Sequence, residues 1–315
     1  MKPASKNDNQ SSCPRQQTLR QAIALVGTGL HYGRRVKMSL RPAEPYSGIV
    51  FLRKDLAGSP RVEARWHNVV DTQLCTVLGN GQGVAVGTAE HMMAALHAMG
   101  IDNLLVELDG PEVPIMDGSA QPFVSLIERI GVLTQPAPRD GLLVHKPVSV
   151  RDGDKFALLL PAQTFRVRVL VDFPGVGRQM GDYAPTDGSF GRDLAPARTF
   201  GFLDQIEDLR KRGLARGGNR RNAVLLDGGK VLNEEGLRFP DELVRHKILD
   251  VVGDLALVGA PILGRYIGYK PGHKLNNALL SRLFERRDAW SYRPLAAVAP
   301  TDAEAAEETA RSVTG

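Results

Sequence analysis

Residues 88–108, TAEHMMAALHAMGIDNLLVEL, join a helical pattern to a strand pattern in one continuous stretch. From Met92 to Met99 the apolar residues recur at the spacing of one helix face. Gly100 is the residue type that most often ends a helix, and IDNLLVEL after it is typical of a buried strand. This order predicts a helix followed directly by a strand of a sheet.

A second stretch, residues 245–269, RHKILDVVGDLALVGAPILGRYIGY, repeats the order of helix, glycine and strand. Each half of the chain contains further strand candidates and two main helices, so the pattern suggests a duplication. We expect Thr88 and Asp241 to cap the two helices. The sequence predicts an α+β protein with two similar layered domains, each a β-sheet packed against helices, and an active site at the domain junction.

Composition and turn residues indicate where the two domains begin and end. We expect a disordered N-terminal tail over residues 1–18, a first domain over 19–134, a linker (QPAPRD) over 135–140, a second domain over 141–292 and a C-terminal tail over 293–315.

The chain has 315 residues, of which 43% are apolar, and a formal net charge of +5. This charge is compatible with a solvated basic surface, an anionic substrate, a membrane surface or nucleic acid. Two distant cysteines, Cys13 and Cys75, imply no disulfide framework. With no signal peptide and no long apolar segment in the sequence, we expect a cytoplasmic protein.

One helix carries the strongest chemical signal. His246, Asp250 and Asp254 lie four residues apart, so they form a polar stripe on an otherwise apolar helix. Carboxylates are rarely buried without a partner or a metal, and a His and an Asp one turn apart can reach the same ion. The alternative is a solvent-facing stripe on an amphipathic helix.

Two weaker signals complete a possible site. Glu90 and His91 are adjacent in the first turn of the other helix, so one can bind a metal while its neighbour faces the bound water. His273 follows Lys-Pro-Gly in a loop after a strand, a common position for a catalytic side chain. Each signal alone also fits an ordinary surface residue. Together they supply ligands, a base and an acid for metal-assisted hydrolysis.

Five segments occur in the order found in one known family. They are TAEHMMAAL (88–96), PIMDGSAQPF (114–123), ARTFGF (197–202), VLNEEGLRFPDELVRHKILDVVGDL (231–255) and KPGHKLNN (270–277). In these segments the chain resembles the UDP-3-O-acyl-N-acetylglucosamine deacetylases, which act early in lipid A synthesis. The resemblance extends from about residue 19 to residue 290.

The resemblance implies a zinc ion held by His91, His246 and Asp250, with water in the fourth position. It implies Glu90 as the general base, and His273 as the cationic partner that stabilises the oxyanion and protonates the leaving amine. Iron(II) suits the same three ligands, so the sequence leaves the choice of metal open.

The resemblance also implies supporting roles around these groups. Asp254 would hold His273 in its protonated form, and Thr199 would donate a hydrogen bond to the tetrahedral intermediate. Lys247 and Phe200 would contact the substrate, and Cys75 corresponds to a family cysteine close to the metal.

The implied substrate is a UDP-linked acylated amino sugar, from which the acetamide is hydrolysed to release acetate. We expect a monomer that binds no nucleic acid, and transient contact with a membrane surface stays open. The alternatives are a zinc amidase for another N-acetylated sugar and a catalytically silent zinc-bound scaffold. A nucleic-acid-binding module is disfavoured because four acids lie among the eight basic residues of 192–221, with no interleaved aromatic platform.

The chain departs from the family pattern at four positions. Gly175 stands where many members carry His, and Gln205 replaces a common acid. Arg220 and Arg221 stand where members usually have an apolar residue and an acid, beside the passage for the acyl chain. These changes leave the zinc-binding residues intact. They predict an altered acyl passage, and Arg220 in particular predicts a preference for a shorter or differently seated acyl chain. The alternative is that Arg220 and Arg221 simply face solvent.

Overall fold

The computed structural model of the protein describes residues 14–186 and 188–295. In chain order, the first half contains β1 (Arg15–Leu19), β2 (Ile23–Thr28), β3 (Arg35–Pro42), β4 (Ile49–Arg53), β5 (Arg61–Glu63), β6 (Val69–Asp71), β7 (Val77–Gly79), β8 (Ala85–Val86), α1 (Glu90–Ala98), β9 (Leu104–Leu108), α2 (Gln121–Ile130) and β10 (Val132–Pro138). The second half contains β11 (Asp140–Val144), β12 (Val148–Asp152), β13 (Lys155–Pro161), β14 (Arg166–Phe173), β15 (Gly177–Tyr183), β16 (Phe200–Phe202), α3 (Leu203–Lys211), β17 (Val224–Asp227), β18 (Lys230–Val231), α4 (Glu242–Leu255), β19 (Ile262–Tyr269), α5 (His273–Glu285) and β20 (Trp290–Pro294).

The two main sheets have the same strand order and the same strand directions. The first is β2-β3-β9-β4-β5, in which β9 is antiparallel to β3 and parallel to β4. In the second, β12-β13-β19-β14-β15, strand β19 is likewise antiparallel to β13 and parallel to β14. Strands β11 and β20 extend this second sheet. The predicted α+β fold with two similar layers is therefore confirmed, and the duplication is visible in the topology.

Helices α1 and α4 precede the central strands of the two sheets and pack against each other. Gly253 makes this close approach possible, because a Cβ atom there would collide with the carbonyl oxygen of Glu90. Apolar side chains from both halves form one continuous core around the two helices. The helix contact therefore brings the N-terminus of α1 to the polar stripe of α4.

The predicted disordered tail over 1–18 is wrong in its last four residues, which belong to strand β1. Residues 1–13 lie outside the described residues, but Arg15–Leu19 forms a strand that pairs with β10. Most residues of this strand are polar, so the sequence lacks the apolar pattern that usually indicates a strand. Gln16 and Thr18 are buried, and the Thr18 hydroxyl donates to the carbonyl of Asn103 at 2.6 Å. Long-range hydrogen bonds thus take the place of apolar packing.

The predicted linker over 135–140 is regular structure. Apart from Arg139, which separates the two strands, its residues lie in β10 and β11, whose backbones pair with β1 and β20 respectively. At the other end, β20 continues to Pro294, two residues past the predicted boundary, and residues 296–315 lie outside the described part of the chain. Pairing with strands that are distant in sequence but belong to the same half explains why proline and polar residues here do not form a loop.

Neither expected cap forms. Thr88 has a φ of 57° and donates from its hydroxyl to Glu112 at 3.3 Å, so it lies outside the helix that begins at Glu90. Asp241 accepts a hydrogen bond from Arg245 Nε at 2.6 Å instead of capping α4. Thr88 therefore binds a residue that is distant in sequence, whereas Asp241 forms a local i,i+4 ion pair.

Two smaller sheets, β6-β7-β8 and β16-β17-β18, stand apart from the main layers. The segment before β7 and the start of β16 supply residues of the cleft described below. Among the described residues, no helix combines the length and the apolar character needed to cross a bilayer.

Candidate active site

The polar stripe of α4 faces the first turn of α1, not solvent. His246, Asp250 and Asp254 are buried, as are Glu90 and His91 at the start of α1. Their spacing along each helix and the α1–α4 contact bring all five side chains to one place. The alternative of a solvated stripe is therefore excluded.

Three of these side chains converge on one point. His91 Nε2 lies 3.6 Å and His246 Nε2 lies 3.4 Å from Asp250 Oδ1. Each residue offers one ligand atom, and the three atoms lie within 4.8 Å of one another. Two imidazole nitrogens and one carboxylate oxygen form the donor set of an open, catalytic type of metal site.

The local chemistry fits a cation at this point. Asp250 Oδ1 is buried and has no hydrogen-bond partner among the described residues, which is costly for a carboxylate unless an ion satisfies it. His246 Nδ1 lies 3.1 Å from the carbonyl oxygen of Ala197. A carbonyl only accepts, so this contact places the hydrogen on Nδ1 and leaves Nε2 free to bind a metal.

Protonation states agree with this interpretation. Burial lowers the pKa of His246 to about 3, so its imidazole is neutral, as a ligand must be. Burial opposes ionisation of Asp250, but the charge of Lys247 outweighs it and holds the carboxyl pKa well below its usual range. The site therefore presents neutral nitrogen and charged oxygen.

A second group of side chains lies beside the three ligands. His273 Nδ1 lies 2.9 Å from Asp254 Oδ2. Burial alone would lower the pKa of His273, but the Asp254 carboxylate, with smaller contributions from Glu90 and Asp250, raises it to about 9. His273 is therefore cationic at neutral pH.

Glu90, the remaining buried acid of the site, has a pKa above its usual value. Burial raises the pKa of Glu90, and His273 and His91 oppose this effect. The backbone N–H of Thr76 donates to Glu90 Oε2 at 3.1 Å. A carboxylate whose proton affinity is raised, close to the ligands, has the properties of a general base.

Thr76 and Asn276 were not predicted, yet both orient Asp254. The hydroxyl of Thr76 donates to Asp254 Oδ1 at 2.6 Å, and Asn276 Nδ2 donates to Oδ2 at 2.8 Å. Asn276 is three residues after His273 on one face of α5, which was a usable signal. Thr76 is 178 residues from Asp254, and no local pattern indicates the contact.

A cleft of about 510 Å³ opens onto these groups. Glu90, His91, His246, Asp250 and His273 all line it. An adjoining cleft of about 370 Å³ has mostly apolar walls. The residues that line both clefts are Leu30, Leu74, Thr199, Phe200, Gly201, Ile206 and Leu209. The metal-binding group therefore faces a polar space that continues into an apolar one.

The remaining predicted residues take different positions. Thr199 and Phe200 lie where the two clefts meet. Lys247 Nζ donates to Asp250 Oδ2 at 2.7 Å and lies 5.6 Å from the centre of the Phe200 ring. Cys75 is buried and is not among the residues that line either cleft, where its neighbour Leu74 lies. The thiol pKa of Cys75 is raised by burial and by Glu90.

The four departures from the family pattern also differ in position. Gln205 lines the polar cleft and Arg220 lines the apolar cleft, whereas Arg221 lines a separate groove. Gly175 has a φ of 75°, and a Cβ atom there would lie 2.7 Å from the carbonyl carbon of Gly228. A side chain at position 175 is therefore excluded by the backbone that packs against it.

Comparison with known proteins agrees with this geometry. The family profile described as LpxC, UDP-3-O-acyl N-acetylglycosamine deacetylase, matches residues 16–285. The UDP-3-O-acyl-N-acetylglucosamine deacetylase of Myxococcus xanthus (strain DK1622) is 50% identical over 296 residues, which cover 93% of this chain and 91% of that protein. The protein of the same name from Phenylobacterium zucineum (strain HLK1) is 49% identical over 284 residues, covering 89% and 97% respectively. The profile spans both sheets and every ligand candidate, and the chain therefore belongs to the UDP-3-O-acyl N-acetylglycosamine deacetylase family.

Proposed function

We propose that the protein hydrolyses the acetamide of UDP-3-O-acyl-N-acetylglucosamine to a free amine and acetate, in an early step of lipid A biosynthesis. The observation that carries this proposal is the convergence of His91, His246 and Asp250 beside Glu90 and His273. A structural metal site usually has four protein ligands and needs no base or acid, so a silent scaffold is disfavoured.

Zinc is the metal that we propose for His91, His246 and Asp250, and iron(II) suits the same donors. When bound, such an ion polarises the amide carbonyl and lowers the pKa of a water molecule to about 7. Lys247 supports the site through its hydrogen bond to the second oxygen of Asp250, which fixes the carboxylate orientation.

Glu90 and His273 divide the proton transfers between them. Glu90, with its raised pKa, accepts a proton from the attacking water as the oxygen adds to the acetyl carbon. His273 is cationic, so it stabilises the developing negative charge and donates a proton to the amine as the C–N bond breaks. Asp254 keeps His273 charged and oriented, and Thr76 and Asn276 hold Asp254.

The two clefts match the two ends of the proposed substrate. The polar cleft contains the reactive groups and the lysines Lys155, Lys247 and Lys270, which suit a sugar nucleotide. The apolar cleft suits an acyl chain, and Thr199 lies at the junction with its hydroxyl available to the reacting oxygen. We further propose that the protein acts in the cytoplasm as a monomer.

Acetate release from the purified protein tests this function. We expect turnover of UDP-3-O-acyl-N-acetylglucosamine, loss of activity on chelation and recovery with zinc. UDP-N-acetylglucosamine without the acyl chain serves as the matched control and should react poorly, because it leaves the apolar cleft empty. Equal turnover of both compounds would favour an amidase for another N-acetylated sugar. No turnover of either would contradict the proposal.

A further inference from the structure

A cluster of positive charge borders the apolar cleft. Residues 210–221 contain six basic residues and no acidic residue, and all six side chains are exposed. We call them the basic rim: Arg210, Lys211, Arg212, Arg216, Arg220 and Arg221. Arg210 and Arg220 line the apolar cleft, which places the rim at its edge.

In the described ranges, few carboxylates lie close enough to the basic rim to neutralise its charge. Within the described part of the chain, Lys211 alone among these six lies within 4.0 Å of a carboxylate, that of Asp208 at 3.3 Å, and this pair is exposed to solvent. An exposed pair of this kind contributes little. The five arginines have no carboxylate partner there, so their charge is available to an external anionic surface.

A turn from the first half of the chain adjoins the rim. The backbone N–H of Arg216 donates to His31 O at 3.1 Å, and that of Gly217 donates to Leu30 O at 3.0 Å. These bonds place the turn that contains the exposed residue Tyr32 beside Arg216. A segment from the first half of the chain therefore meets the rim.

Apolar side chains are exposed on the same face. Leu74 lines the apolar cleft and is 46% exposed. Leu203, one helical turn before the cleft residue Ile206, is 41% exposed, and Tyr32 is 52% exposed. Basic residues around exposed aliphatic and aromatic side chains are typical of surfaces that bind the interface of a membrane.

We propose that the basic rim and these apolar side chains dock the protein onto an anionic phospholipid bilayer, with the apolar cleft facing the lipid surface. Exposed leucines favour a bilayer over nucleic acid, because single strands are bound through stacked aromatic rings and Tyr32 is the one aromatic side chain in this group. The docking stands on charge and exposure alone. Only its purpose, access of an acyl chain to the cleft, rests on the proposed function.

Sedimentation with lipid vesicles tests the docking without measuring turnover. The full chain should sediment with vesicles of phosphatidylcholine and phosphatidylglycerol and stay in solution with phosphatidylcholine alone, and binding should weaken as salt rises. A variant with Arg212→Gln, Arg216→Gln and Arg221→Gln should bind on the order of 100-fold more weakly, since each basic residue near an anionic surface contributes roughly fivefold.

The control removes the same charge elsewhere, through Arg61→Gln, Arg129→Gln and Arg151→Gln, at exposed arginines outside the rim. This variant should bind within about twofold of the original protein, because the charges that it removes are not part of the basic rim. Leu203→Ser should weaken binding at constant charge, which non-specific ionic attraction would not predict. Equal losses in both triple variants, no binding to anionic vesicles, or tighter binding to single-stranded DNA at the same salt would each overturn the proposal.

Discussion

Arg198 donates from Nε to Glu242 Oε1 at 2.9 Å, and both side chains are almost completely buried. The backbone N–H of Arg198 donates to the same oxygen at 3.0 Å. The pair therefore fixes the chain at Ala197 and Thr199, on either side of Arg198. Ala197 accepts from the ligand candidate His246, which lies one turn beyond Glu242 on α4.

Glu242→Gln should destabilise the fold and loosen the metal site together. Without the Glu242 charge, the buried Arg198 guanidinium keeps only the exposed Glu235 carboxylate, 2.7 Å from Nη1, so the cost should be about 3 kcal/mol, the lower end for breaking a buried ion pair. Urea unfolding should detect this loss, and a zinc titration should show weaker binding because Ala197 is no longer held. The matched control is Glu285→Gln, which breaks an exposed pair with Arg282 and should cost less than about 1 kcal/mol. Equal costs for both variants would contradict the buried-pair interpretation.

His273 should make the stability of the metal-free protein depend on pH. Its pKa is raised from 6.5 to about 9 in the folded state. The stabilisation is therefore fully present below pH 6.5 and is lost as pH rises through about 9. The change should be on the order of 3 kcal/mol, measured by urea unfolding across this range. Asp254→Asn removes the main charge that raises the pKa, so the dependence should largely disappear; an unchanged profile would exclude this pair as its source.

Substitutions at Glu90 and at His246 should have different effects on turnover and on metal content. Glu90→Gln should retain the metal and lose at least about 10²-fold in turnover, the usual scale for a general base. His246→Ala should lose most of the metal, because it removes one of three ligand atoms. Elemental analysis and acetate release measure the two effects. Near-normal turnover in Glu90→Gln would show that another group is the base.

Arg220 should restrict the acyl chain. Its exposed side chain lines the apolar cleft, so its stem narrows the cleft while its charge stays in water. Arg220→Leu should favour longer chains, by roughly fourfold for each methylene newly buried. Specificity constants across a series of acyl lengths measure this effect. Arg221→Leu is the control, since Arg221 lines a separate groove and should leave the preference unchanged. The same preference in the original protein and in Arg220→Leu would rule out the restriction.

The His246–Asp250 pair could be predicted because its signal is local, whereas His91 was assigned as the third ligand from the family resemblance. His246 and Asp250 are one helical turn apart on an apolar helix, and burial of such a pair requires a partner. The two-layer fold was predictable for the same reason, since the helix, glycine and strand occur together at residues 88–108 and 245–269. The sequence was sufficient for a prediction wherever the residues that form the pattern are close together along the chain.

Other features depend on contacts between distant segments. Thr76 reaches Asp254 across 178 residues, and β1 pairs with β10 from more than a hundred residues away. The resemblance placed Cys75 close to the metal, yet its side chain is buried outside both clefts, whereas Leu74, at a bend with a φ of 67°, lines them. Single-sequence patterns carry no information about such pairings, so these details required the folded chain.

Gly253 packs against the carbonyl of Glu90 at the place where the two halves of the chain meet. The same contact therefore both assembles the catalytic groups and joins the two halves. Any partial opening that separates α1 from α4 disperses the ligand atoms while each sheet is still paired. Loss of activity on heating should consequently precede loss of secondary structure. The temperature of inactivation then reports the stability of the contact between the two halves.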